Sequence, residues 1–322
     1  MKDKMILKMI PVLILLFLFC NSGQKVSFLQ KKNQIDVLFN GHHFTSYLFT
    51  PDLTKPILHP VHSPSGIKMN RSFPLETVDG ESQDHPHHTG LFFTYDEVNE
   101  DGFWGNTTPP PKIKHIKATR MIDGSGEGIL STILHWIGKN GKIILEENRK
   151  MIFYPGQVEH IIDFSITLTA SDTTVVFHDT KEGLFAIRVA HWLREKEGSG
   201  RYLSSNGDET EENIWGKRAS WVKLEGKKGD KTLGIAILNH PQSTNYPTYW
   251  HARGYGLFSA NPLGQFAFQK TRKVPNPQQY NLTLKKKEGA VFIFRMIIYE
   301  GQRSRQYFDD EFKKYANQSI QD

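Results

Sequence analysis

Cysteine is almost missing from this 322-residue chain: Cys20 is the only one. No internal disulfide can form, so the fold must rest on burial and hydrogen bonding rather than on cross-links. Long apolar runs are equally scarce. The most apolar stretch, MIPVLILLFLF at 9–19, has eleven residues, short of the roughly 20 that a membrane-spanning helix needs, and Pro11 interrupts it. A dense basic face is lacking too. The formal charge is +6, of which Lys2, Lys4, Lys8 and Asp3 contribute +2, leaving +4 for the remainder. Basic runs such as Lys227–Lys228 and Lys285–Lys287 are short; they read as solvated turns and exclude nucleic-acid binding through a basic stripe. Alternation of strands with helices is absent as well, which excludes a doubly wound parallel sheet.

The start of the chain carries a basic segment, the eleven apolar residues, then Cys20 and the polar NSGQK. That order reads as an export signal over residues 1–20. A single cysteine at its end matches the lipidated first residue of a lipoprotein, although Phe19 occupies a place where a small residue is preferred. Simple secretion is the alternative. Both imply an extracytoplasmic protein, touching a membrane only through a lipid at Cys20, and a single domain over residues 21–322.

The dominant period is two. In VEHIIDFSITLT, Val158, His160, Ile162, Phe164, Ile166 and Leu168 fall on one side and mostly polar residues on the other, the signature of a strand with one buried face. Asn140-Gly141 between two further runs marks a hairpin. About fifteen such runs predict an all-β protein, a large two-sheet antiparallel sandwich that buries two apolar faces against each other. Helical spacing occurs in the tail alone, where Phe308, Phe312 and Tyr315 form one stripe of a short C-terminal helix.

Histidine is plentiful. Seven of the fourteen lie between His42 and His88, and ESQDHPHHTG places His85, His87 and His88 beside Asp84. An extended backbone, favoured by Pro86, puts His85 and His87 on one face and His88 on the other. Such a cluster suits acid–base work, because imidazole changes charge near neutral pH; the alternatives are a transition-metal pair at His85 and His87, or histidines satisfied within the structure. A second block, VVFHDTKEGLFAIRVAHW, breaks the apolar rule at its centre. It offers His178 and Glu182 as catalytic groups and Arg188 as a substrate anchor, with Asp179 and Lys181 read as loop charges. A third, NHPQSTNYPTYWHARGYGLFSANPLG, sends His251 and Arg253 one way and Trp250 the other. Aromatic rings beside amide and guanidinium donors suit a sugar, whose C–H face lies on the ring while its hydroxyls take the donors. Trp250, Trp215, Arg253, Asn261 and His59 are therefore candidate substrate-binding residues.

These blocks, with LHPVHSPSG, DHPHHTGLFF, DEVNEDGFW and IWGKRASWV, resemble the PmoA-like family, whose members are labelled methane oxygenase. The resemblance runs from about residue 56 to 300. It implies an extracytoplasmic protein of carbohydrate metabolism and a sandwich similar in style to the galactose-mutarotase-like supersandwich. The expected function is a carbohydrate-active enzyme working on a sugar or oligosaccharide by His/Glu chemistry, as a hydrolase, lyase or isomerase without a cofactor. A copper- or iron-dependent oxygenase and a non-catalytic sugar-binding lipoprotein are the alternatives.

Overall fold

The computed structural model describes residues 23–105 and 111–319; the segment expected to be an export signal, with Cys20, lies outside them. Two large antiparallel sheets face each other. The first has nine strands in the order Tyr249–Ala252, Leu257–Asn261, Gly183–Arg188, Leu91–Tyr95, Ile57–Val61, His42–Leu48, Gln34–Phe39, Lys25–Gln30 and Gly124–Ser125. The second has eight: Arg201–Ser204, Trp221–Lys228, Lys231–Asn239, Gly289–Glu300, Glu159–Ala170, Ile143–Tyr154, Gly128–Ile137 and Lys112–Ile122. A small four-stranded sheet, Leu282–Leu284, Val175–Phe177, Glu97–Val98 and Asp101–Gly102, closes one end. This is the expected antiparallel sandwich.

The strand alternation does what its period dictates. In Glu159–Ala170 every second residue, His160 through Ala170, is buried, and the expected hairpin forms with Gly141 at φ +76°. Phe185 stacks on Phe294 across the two sheets at 4.7 Å, and Phe93, Phe103 and Phe177 surround Trp136. Each such ring, removed from water, stabilises by about 2–3 kcal/mol. The C-terminal helix Arg305–Ala316 is capped by Ser304, whose hydroxyl accepts from the Tyr307 N–H. It packs Phe308 and Tyr315 on the outer face of the eight-stranded sheet, beside Trp221, Ile297 and Tyr299. Two more short helices, Thr210–Ile214 and Gln265–Thr271, escaped the sequence reading; five and seven residues are too few to register a helical period. No described helix is long and apolar enough to cross a membrane.

Four strands at one edge of the nine-stranded sheet are buried on both faces. Phe93, Phe185 and Phe258 point between the sheets, while Phe92, Ala186 and Leu257 pack outward under Trp104, Leu75 and Tyr255. The loops that cover this outer face make the candidate site.

Candidate functional site

Antiparallel register brings the first two chain segments together. Tyr95 pairs with Gly183, so the next residue on one strand, Asp96, meets the preceding residue on the other, Glu182; the Asp96 N–H donates to the Glu182 carbonyl at 3.1 Å. The strand Tyr249–Ala252 adds His251 two strands away, held by its Nδ1–H, which donates to the Lys181 carbonyl at 2.9 Å. A carbonyl can only accept, so Nδ1 carries the proton and Nε2 the lone pair. These groups line a hollow of about 590 Å³ with His85, His87, His88, Trp104, Lys181, Arg253 and Tyr255. That size suits a small-molecule site.

The histidine cluster is a turn rather than an extended run: the His88 N–H donates to the His85 carbonyl at 3.0 Å and His85 takes φ +45°. Pro86, which fixes φ near −65°, serves a turn as well as a strand. The turn stacks four rings, Tyr255 on His85 (5.0 Å), His85 on His88 (4.9 Å) and His88 on Phe92 (6.2 Å). Beneath them Asp84 accepts from Arg71 (2.9 Å), Arg188 (2.7 and 3.1 Å) and His85 (2.5 Å). Burial pushes the Asp84 carboxyl up, but the bonds from His85 and Arg188 outweigh it and hold it well below the usual range. Arg188 is thus a buried brace, not a substrate anchor; its guanidinium also lies 4.7 Å from the Tyr255 ring centre.

Burial, with Lys55 nearby, lowers His87 to about 4, and burial lowers His251 to about 4 against the opposing charge of Glu182. Both imidazoles are neutral at pH 7. Burial, then Glu182 and Glu97, raise the Asp96 carboxyl, which favours its protonated form. The hollow therefore holds neutral imidazole acceptors beside a carboxyl, Asp96, that takes a proton more readily than an ordinary aspartate, with Lys181 Nζ donating to Glu182 Oε1. Reading a single carboxylate in this region was incomplete: Asp96 sits in a polar turn sequence and becomes a partner of Glu182 only through strand register. Lys181, read as a loop charge, is part of the wall. Tyr255 and Trp104 were also missed as wall residues.

Other expected site residues lie elsewhere. Trp250 points into the core, its Nε1–H donating to the Ala219 carbonyl at 3.0 Å. His59 is buried and accepts from Asn70 Nδ2 at 2.7 Å, a packed histidine. Asn261 ties the Thr180 carbonyl at 2.9 Å. The ring of His178 lies outside the hollow, and its carbonyl accepts from the Tyr95 hydroxyl at 2.8 Å. None of His59, Asn261 and His178 lines the cavity. Trp215 lines an adjoining hollow of about 460 Å³ that shares Lys181 and Arg253 with the first. Arg253 bridges the two, 5.9 Å from the Trp215 ring centre and 5.4 Å from that of Tyr255. Its Nε lies 2.7 Å from Glu211 but is off the line of a good hydrogen bond, since it counts among the buried atoms without a hydrogen-bond partner.

Among the described residues no three His, Cys, Asp or Glu side chains are placed to hold a metal ion. His85 Nδ1 is occupied by Asp84 and His88 Nδ1 by Arg188, so the expected alternative pair His85 and His87 lacks a third donor. A larger cavity, about 650 Å³, lies on the outer face of the eight-stranded sheet between Arg120, Tyr154, Asp163 and Gln318, and it contains no imidazole.

Gly183 holds the hinge of this site. A Cβ there would come 2.4 Å from the Tyr95 ring, whose hydroxyl accepts from the Thr180 N–H at 3.1 Å. Gly183→Ala is expected to lower stability by about 1–3 kcal/mol and to displace the loop bearing Lys181 and Glu182. Urea unfolding measures the first effect; unchanged stability would contradict the close packing.

Residues 34–313 match DUF6807, a family of unknown function. The chain belongs to that family. No protein of curated function matches it in sequence. Among solved structures, this DUF6807 member is similar to an alpha-galactosidase of Geobacillus stearothermophilus (10% identity, 87% of this chain and 41% of that one, TM-score 0.44). It is also similar to a galactose 1-epimerase of Lactobacillus acidophilus (8%, 86% and 98%, 0.40) and to a putative aldose 1-epimerase of Klebsiella pneumoniae (10%, 91% and 88%, 0.41). The chain spans about two fifths of the alpha-galactosidase.

Proposed function

We propose that this DUF6807 member is an extracytoplasmic enzyme that moves protons at a sugar held between Glu182, Asp96, His87 and His251. The observation that carries the reading is the convergence of neutral imidazoles and two carboxylates from three distant segments on one aromatic-walled hollow. His251 is the base, its Nε2 lone pair fixed by the Nδ1–H bond to Lys181. Asp96 is the acid, and Glu182 supports charge on His251. His87 lies on the same wall as a second neutral imidazole, and Arg253 takes a substrate oxygen. General acid–base assistance of this kind contributes about 10²–10⁴-fold. Location outside the cytoplasm is supported by the leading basic–apolar segment. The same proposal extends to kinship with the PmoA-like family, whose blocks carry Glu182, His251 and Arg253; no step is routed through a metal.

The test is a panel of free sugars and oligosaccharides incubated with the protein in D₂O and followed by NMR. Anomer interconversion, C–H exchange, elimination or hydrolysis supports the reading. Saturable binding without any product would contradict it in favour of a binding protein. Trp215→Ala is expected to raise KM for an oligosaccharide about 3- to 10-fold through lost ring stacking, with kcat little changed and a monosaccharide unaffected. Steady-state kinetics on both substrates checks this.

A further inference from the structure

One wall of the hollow contains donors with nothing to donate to. Arg188 Nη1 lies 3.3 Å from His88 Nδ1. A guanidinium can only donate, so Nδ1 of His88 is the acceptor and Nε2 bears the hydrogen. His88 is 1% exposed, and its Nε2 has no hydrogen-bond partner among the described residues. Trp104, 4% exposed, is in the same condition at Nε1, which can only donate. The two rings meet edge to face at 5.4 Å, and both residues line the hollow. Burial of an unmet donor is costly, and native structures rarely tolerate two side by side without a ligand or water to meet them.

Buried cations gather behind this wall. Lys55 is 3% exposed. Its ammonium lies 5.2 Å from the Phe92 ring centre and reaches the Trp104 carbonyl at 3.4 Å, with no carboxylate paired to it among the described ion pairs. Arg71 and Arg188 share Asp84 between them. Asp84, with Glu81 near Arg71, thus answers the two guanidiniums, and Lys55 is left without a paired carboxylate among the described ion pairs. Burial alone holds Lys55 down to about 7, so an anion nearby would restore its charge. A neutral hydroxyl would use the two N–H groups but would leave the positive field unanswered.

We propose that His88 Nε2–H and Trp104 Nε1–H, backed by Lys55, form a subsite for a carboxylate, and that the substrate is an acidic sugar. This rests on the reading of the hollow as a sugar site. It gives the hollow a polarity: the carboxylate lies against His88 and Trp104, and the ring carbons and hydroxyls face His251, Glu182 and Asp96.

Calorimetric titration of the full protein with D-galacturonate and D-glucuronate, against D-galactose and D-glucose, tests the subsite without requiring turnover. At least one uronate is expected to bind about tenfold or more tighter than its neutral counterpart, the size of a charge-assisted hydrogen bond. Trp104→Phe, which keeps an aromatic ring and removes the N–H, is expected to erase most of that preference by lowering uronate affinity much more than neutral-sugar affinity. Lys55→Met is expected to do the same and serves if the first variant unfolds. Equal binding of acid and neutral sugars would overturn the proposal, as would equal loss of both in Trp104→Phe. A variant that lowers kcat on a neutral sugar without changing any binding would also overturn it, because the donors would then serve an oxyanion formed in the reaction. Uronate preference without turnover would retain the subsite and refute the catalytic reading; turnover without preference would do the reverse.

Discussion

His251→Gln and Glu182→Gln each lower kcat/KM by about 10²–10⁴-fold, with folding retained. Glutamine at 251 still offers an N–H to the Lys181 carbonyl, so the loop keeps its tie, but it has no lone pair of comparable basicity. Glutamine at 182 keeps the shape and loses the charge that opposes the lowering of His251 and raises Asp96. The pH profile separates this from a structural defect. A base works when deprotonated, so rate is retained above its folded value and lost below it. With His251 lowered to about 4, the base stays unprotonated and kcat/KM does not fall from pH 7 to about 5. An ordinary imidazole at 6.5 would already be roughly 90% protonated at pH 5.5 and would have lost most of its rate. Stopped assays across pH 4–8 decide between the two; an acid limb near 6.5 would remove His251 from the role.

Asp84→Asn has the largest expected effect on stability, a loss of about 2–4 kcal/mol. Two guanidiniums with almost no exposed side-chain surface, Arg71 and Arg188, share that one carboxylate, and removing the partner of a buried charge costs about 3–5 kcal/mol. The lower figure allows for solvent around the partly exposed Asp84. The sign with pH follows from the depressed carboxyl. Its stabilisation is complete above the unfolded value near 4 and fades as pH falls toward the folded one. The gap between wild type and variant is therefore widest at neutral pH and narrows in acid. Urea midpoints at pH 7 and pH 3 measure it. A constant gap would show that Asp84 is only a hydrogen-bond acceptor.

What the chain disclosed in advance follows from how local each feature is. Alternation in Glu159–Ala170 and the Asn140-Gly141 break reveal strands because pleat and turn depend on neighbouring residues alone. The opposite facing of Trp250 and His251 is equally local, but which face meets the core is not, and Trp250, expected to bind substrate, fills the core. Asp96 was hidden because its partnership with Glu182 depends on the pairing of Tyr95 with Gly183, 88 positions along the chain. Arg188 read as a substrate anchor, and Lys55 and Arg71 gave no signal, because their burial depends on loops that cover the outer sheet face. His178, His59 and Asn261 carry the composition of a site but spend their polar atoms on backbone and packing, a distinction that residue type alone does not make.

The central claim is that distant imidazoles share one ligand-binding hollow. It is tested most directly by ¹⁵N-imidazole NMR during titration with a uronate, with signals assigned by single substitution. His87, His88 and His251 are expected to shift together at one saturation constant, while His43 and His160, which line a separate small cavity, stay still. Movement of the latter pair, or saturable binding that leaves all the hollow's imidazoles unmoved and so places the ligand in a cavity such as that at Tyr154, would contradict it.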